Sequence, residues 1–168
     1  GFISIKRTET NKWDITKSQY HGILALPGQS EEITWGKLVA KFKSYSGWPI
    51  IHYGETEYLS ISRMAKRQGE SQENINSLKN RFIDIHECIR STWILPVNSY
   101  GLKGVAKWLG FSWSQGDCDG AQALLWWRQS RGEYTSTKGK VSNLKKILRY
   151  NEDDCMATWK ITQWLLNN

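Results

Sequence analysis

From Val141 to Leu166 the apolar side chains recur at three- and four-residue steps. Ile147, Tyr150, Ala157, Ile161 and Trp164 form one stripe, and a stripe of that period requires an amphipathic helix packed along it. Asp154 falls on the same stripe. At 3.6 residues per turn, Asp153 is turned about 100° from it and Glu152 about 200°. The run Glu152-Asp153-Asp154 is therefore not three equivalent acids. Glu152 and Asp153 are expected in solvent and Asp154 on the inward face. A buried carboxylate avoids a large penalty by pairing, by protonation or by holding a metal. One reading makes Asp154 structural, paired with a lysine or capping a neighbouring helix. The other makes it a ligand.

The rest of the chain supplies the partners for such a helix. "GFISI" has strand character, and "QYHGILAL" (Gln19–Leu26) reads as a second strand ended by Pro27-Gly28, with the polar stretch Thr8–Ser18 as their hairpin connection. Trp35, Leu38, Val39 and Phe42 predict a helix over Trp35–Tyr45. "GWPIIHYG" (Gly47–Gly54) reads as a buried strand, Thr56–Gln68 as a helix and Gly69–Asn74 as a polar loop. Ile75–Ile94 looks mostly helical up to Pro96, and only helices are expected beyond it, including Ser99–Gly110 with its glycine stop. Strands first and helices after them predict one α/β domain over 1–168, with no internal repeat, low-complexity tract or linker.

Composition narrows the class. With 39 % apolar and 23 % charged residues the chain is an ordinary globular one. Ten tryptophans, with Trp126, Trp127, Trp159 and Trp164 late in the chain, predict a thick aromatic core. No apolar run approaches the roughly 20 residues that cross a bilayer, so no membrane partner is expected. "GFISIKRTET" is too short in apolar residues for a signal peptide and has no initiator Met, as in a processed chain or a fragment. Cys88, Cys118 and Cys155 are widely spaced without a CxxC pair. That argues against structural zinc and for a reduced, cytoplasmic setting. The net charge of +7 fits either plain solubility or an acidic partner, of which nucleic acid is the usual one.

A second acid changes the weight given to Asp154. In "HYGETEYLSISRMA", Glu57 shares a stripe with Ile61 and Met64 just after the predicted buried strand. Two inward-facing acids on two helices can converge on magnesium or manganese, which take several oxygen ligands. In two-metal phosphodiester hydrolysis one ion activates water and the other stabilises the leaving oxygen. Tyr150, one turn before Asp154, lies on the same face, where its hydroxyl can orient the attacking water.

These residues resemble a known family. The chain looks like the ribonuclease H-like nuclease domain of the DEDD 3′–5′ exonuclease superfamily, and more narrowly like the domain of predicted bacterial RecB-like nucleases. "PIIHYGETE" is similar to the second motif and gives Glu57 the acidic position. "RFIDI" supplies Asp84. "NSYGLKGVAKWLGFSW", "GAQALLWW" and "YNEDDC" with the following "AT" match later elements, the last in the Tyr-x-x-x-Asp form carried by Tyr150 and Asp154. The resemblance implies an α/β ribonuclease H-like fold: a central mixed sheet, its first three strands antiparallel, flanked by helices. It implies metal-dependent phosphodiester hydrolysis of the 3′–5′ exonuclease kind. Glu57 and Asp154 would bind Mg²⁺ or Mn²⁺, Tyr150 would orient water, and Asp84 would support the site. An upstream second nuclease domain in a longer chain is a further implication. The first motif departs from the pattern: its Asp-x-Glu falls on Ser4 and Lys6, with Asp14 the weaker alternative. A lysine there can replace an ion electrostatically. The alternative function is a catalytically inactive module of the same fold that binds nucleic acid or a protein.

Other residues carry weaker signals. Lys103, Lys107 and Lys140 can contact phosphates, and the run Lys138, Lys140, Lys145, Lys146 and Arg149 can track a nucleic-acid backbone. Each also serves as an ordinary solvated cation. Trp113, Tyr134 and Trp48 can stack bases, or simply pack in the core. His52 reads best as a satisfied core histidine. "SRGEYTSTKGK" fails the P-loop pattern because Tyr134 stands where its first glycine belongs.

Overall fold

A computed structural model describes residues 1–10, 12–26, 28–116, 118–131 and 137–168, without the side chains of 137 and 138. The chain divides into two compact units. The first is Gly1–Pro27 with Phe111–Ala157, and the second is Gly28–Gly110 with Thr158–Asn168.

The first unit opens with a hairpin, β1 (Phe2–Arg7) and β2 (Trp13–His21), paired antiparallel. Its turn is closed early. The Thr8 N–H donates to the Lys12 carbonyl at 2.7 Å, and the Lys12 N–H donates to the Thr8 hydroxyl at 3.1 Å. Most of the polar stretch expected to connect the strands is therefore strand itself. Alternation resumes at Trp13, and the second strand ends at His21, five residues before Leu26. The register runs Phe2↔His21 to Ser4↔Gln19, then shifts to Lys6↔Asp14 and Arg7↔Trp13. Asp14 holds that bulge by accepting from the N–H and hydroxyl of Thr16, as short polar side chains do at turns. Helix α6 (Gly120–Ser130) is capped by Asp119, which accepts from Gln122 N–H at 2.9 Å. Helix α7 (Thr137–Leu166) carries the stripe described above.

The second unit contains α1 (Glu31–Ser44), β3 (Ile50–His52), α2 (Glu55–Arg67), α3 (Gln72–Lys79), β4 (Phe82–Asp84), α4 (Ile85–Thr92) and α5 (Leu102–Trp108). Strands β3 and β4 are parallel, from Ile50↔Phe82 to His52↔Asp84. A parallel pair needs a long crossover, and α2 with α3 supplies it. Trp35, Ala65 and Ile75 form the core here, with Leu38, Val39, Ile61 and Met64 against it. Trp93 and Trp108 meet Trp164 edge-on at 5.0 and 5.5 Å between ring centroids. In α5 a Cβ on Gly104 would lie 2.1 Å from the Ser99 carbonyl oxygen, so this close approach requires glycine.

Three further expectations change. Helix α3 begins at Gln72, capped by Ser71, inside the stretch expected as a polar loop to Asn74. The strand β4 interrupts the stretch expected to be helical from Ile75 to Ile94, because pairing with β3 outweighs local propensity. The described strands form two two-stranded sheets. The mixed α/β character holds, but three antiparallel strands in one central sheet are not seen among the described residues: β3 pairs in parallel with β4. No helix of the described residues is long and apolar enough to cross a membrane.

Candidate functional site

In the first unit the site residues lie on α7 and on the loop before α6. Asp154 is half-buried, and its Oδ1 accepts from the Trp113 indole N–H at 2.8 Å. Trp113 is 7 % exposed and meets Phe111 edge-on at 4.9 Å. Asp153 is the more buried of the two acids, at 7 %. Its Oδ2 accepts from the Ser114 N–H at 2.9 Å and the Ser114 hydroxyl at 2.6 Å. The solvent position expected for Asp153 is thus wrong: consecutive residues Trp113 and Ser114 bind consecutive acids of α7. Glu152 is half-buried and pairs with Arg149 at 3.1 Å. Tyr150 is also half-buried. Burial pushes its phenol up to about 12, with Asp154, Asp119 and Cys118 adding to the shift. A phenol held there stays protonated at neutral pH, and so serves as a donor rather than as a base.

The first-motif positions sit on β1. The Ser4 hydroxyl lies 3.0 Å from His21 Nε2, and His21 is 6 % exposed. Lys6 is exposed and stands opposite Asp14 in the hairpin. Asp14 is held by Thr16 and by Lys17, at 3.3 Å. Those interactions keep its carboxyl below the usual range, the Thr16 hydrogen bond being the largest.

In the second unit, Asp84 closes β4 and caps α4. Its Oδ1 accepts from His86 N–H and from Gly54 N–H, both at 2.9 Å. Gly54 has φ +85°, a left-handed conformation that favours glycine, and it starts α2. Asp84 therefore ties the end of β4 to the start of the helix that bears Glu57. Glu57 is exposed in the first turn of α2, beside Glu55. The inward position expected from its stripe is not observed. A carboxylate in a first turn is favoured by the helix dipole without being buried. His52 is buried as expected for a core histidine, with Nδ1 2.6 Å from the Gly54 carbonyl oxygen. The Tyr53 hydroxyl donates to the Tyr100 carbonyl. Burial, with Asp84 adding, pushes the Tyr53 phenol up to about 12.

The structure places Tyr150 beside Asp154 in one unit, and Asp84 at the helix of Glu57 in the other. Among the described residues no group of three or more His, Cys, Asp or Glu side chains gathers to hold a metal ion. Asp154 and Asp84 each already accept protein hydrogen bonds. Each has a second carboxylate oxygen that can take a divalent ion, and within either unit the described residues gather no full ligand set around it. Lys103 and Lys140 are half-buried and Lys107 is exposed. Trp48 packs on Tyr45 at 5.1 Å, while Tyr134 lies outside the described residues, as does the Lys138 side chain. Helical phase did not reveal the parts played by Trp113, Ser114 and His21. The one usable signal was that a buried indole N–H seeks an acceptor, and Asp154 is an acceptor on an apolar stripe.

Comparison with curated proteins and with solved structures gave no match. A family model described as RNase H superfamily matches residues 9–166. That span takes in nearly the whole chain, which belongs to the RNase H superfamily, a membership that points to nuclease-like chemistry and nucleic-acid binding.

Proposed function

We propose that this chain is a nuclease-like domain of the DEDD 3′–5′ exonuclease kind, related to the RecB-like nucleases, that binds nucleic acid but hydrolyses it poorly. The observation that carries the reading is at the first motif. The resemblance puts that motif on Ser4, hydrogen-bonded to His21, and Lys6, exposed on the hairpin, both ahead of the matched residues 9–166. Neither side chain supplies a carboxylate. The third motif is complete, with Tyr150 and Asp154 one turn apart on α7. Nucleases of this superfamily typically use divalent metals, and the resemblance assigns Mg²⁺ or Mn²⁺ to Glu57 and Asp154. The described residues do not complete that group.

The chain's own groups have these roles. Protonated Tyr150 donates a hydrogen bond to a water or a phosphate oxygen. Asp154 is oriented by Trp113. Asp84 positions the first turn of α2 and with it Glu57. Lys103, Lys107 and Lys140 meet backbone phosphates, so binding weakens as salt rises.

The test measures binding and cleavage on the same labelled single strands of DNA and RNA, with Mg²⁺ or Mn²⁺, for the wild type and Asp154→Asn. Salt-sensitive binding is expected in both proteins, with little cleavage in either. Strong cleavage abolished by Asp154→Asn would replace this reading with a fully active nuclease. Failure to bind any nucleic acid would overturn it altogether.

A further inference from the structure

The β1–β2 hairpin carries surface chemistry that superfamily membership does not account for. From Lys6 to Lys17 it holds four cations, Lys6, Arg7, Lys12 and Lys17, against two acids, Glu9 and Asp14. All four cations are exposed. Asp14 is turned onto its own strand, where Thr16 and Lys17 engage it. The outward charge is then set by Lys6, Arg7 and Lys12 against Glu9, and it is positive.

An aromatic platform lies within this charge. Arg7 and Trp13 are cross-strand partners, which puts their side chains on one face. The Arg7 guanidinium carbon stands 4.4 Å from the Trp13 ring centroid. Trp13 is nonetheless 36 % exposed. The Thr8 side chain fixes the turn beside this pair and the Asp14 bulge fixes the strand after it, so the platform is held by backbone geometry. A partly exposed ring beside a guanidinium meets both needs of a nucleic-acid strand: a surface for a base and charge for its phosphate.

We propose that this hairpin binds single-stranded nucleic acid, with a base stacked on the exposed part of Trp13 and the neighbouring phosphate on the Arg7 guanidinium, which shares its face, while Lys6 and Lys12 add positive charge from the other face. Single strands fit because duplex bases already stack on one another and offer Trp13 no free face. The inference rests on the nucleic-acid reading of the whole chain and adds the place and form of contact.

The test follows anisotropy of a labelled oligothymidylate with the full chain across a salt series. Circular dichroism checks that each variant folds. Trp13→Ala is expected to bind at least about fivefold more weakly at every salt concentration, and Trp13→Tyr to keep most of the affinity. Arg7→Ala should lower the slope of log affinity against log salt by about 0.7, the value of one phosphate contact on a single strand. Unchanged affinity in Trp13→Ala overturns the inference. So does equal binding of a duplex of the same length, or equal competition by polyglutamate, since either shows charge alone. If the wild type binds the oligonucleotide and only Lys103→Ala with Lys107→Ala weakens it, the hairpin inference fails and the proposed function stands. If the wild type binds no nucleic acid, both fail.

Discussion

Asp153 and Asp154 are neighbours on α7 with different partners, and substitution should separate them. Asp153 is buried and takes two hydrogen bonds from Ser114, with Arg149 3.9 Å away. Removing it leaves the Ser114 N–H and hydroxyl without their acceptor, a loss that typically costs about 1–3 kcal/mol. Asp154→Asn keeps an oxygen that can accept from Trp113, so its effect on stability should stay within about 0.5 kcal/mol. Urea unfolding is expected to show a lower midpoint for Asp153→Ala and a nearly unchanged one for Asp154→Asn. Equal losses would mean that Asp154 is as structural as its neighbour. Helical phase made Asp154 the inward acid because it sees only the helix. The buried residues of α7 include Asn143, Ala157 and Ile161, on the stripe of Tyr150 and Asp154, and Asp153, which lies one column over. What selects between the two columns is the Trp113–Ser114 loop, distant in sequence and invisible to periodicity.

Elements in the second unit are held by side chains that no local pattern announces. Arg81, just before β4, donates from Nε to the Trp48 carbonyl at 2.9 Å, from Nη1 to Phe42 at 3.2 Å and from Nη2 to Tyr45 at 2.7 Å. It thereby satisfies carbonyls at and beyond the C-terminal end of α1, the end where positive charge is favoured, and ties the approach to β3 to the approach to β4. Hydrogen bonds from a charged donor are worth about 1.5–3 kcal/mol each at best, and those on one side chain are not additive. Arg81→Ala should therefore cost about 2–3 kcal/mol. Arg81→Lys should recover less than half of that, since one ammonium cannot reproduce a planar fork. Thermal unfolding of the two variants checks this, and full rescue by lysine would show that charge alone matters. The elements themselves were unevenly legible. Helices α1, α2 and α5 were readable because apolar spacing and end signals agree with their packing. Strand β4 was not, because a three-residue strand is made by its partner. Strand β2 began at Trp13 because the Thr8 side chain closes the turn, which a count of polar residues between apolar runs does not reveal. Glu57 had the phase of an inward residue, but its place in the first turn of α2 leaves it in solvent.

At the scale of the whole chain, the superfamily match runs across both compact units, and we propose that they unfold together as one domain. Each unit carries its own reporter: Tyr150 in the first and Tyr53 in the second, both with phenols pushed up to about 12 from an ordinary 10.0, chiefly by burial. The folded state binds the phenolic proton more tightly than the unfolded state. The stabilisation is therefore complete below pH 10 and is lost as pH rises through about 12. Alkaline titration should show stability falling across that window, read by ellipticity, with tyrosinate absorbance rising as the fold is lost. Tyr53→Phe and Tyr150→Phe each remove one such proton linkage, so each should flatten the fall. In a single cooperative domain both substitutions act on one shared transition. If Tyr53→Phe alters one transition and Tyr150→Phe a separate one, the two units unfold independently and the single-domain proposal is wrong.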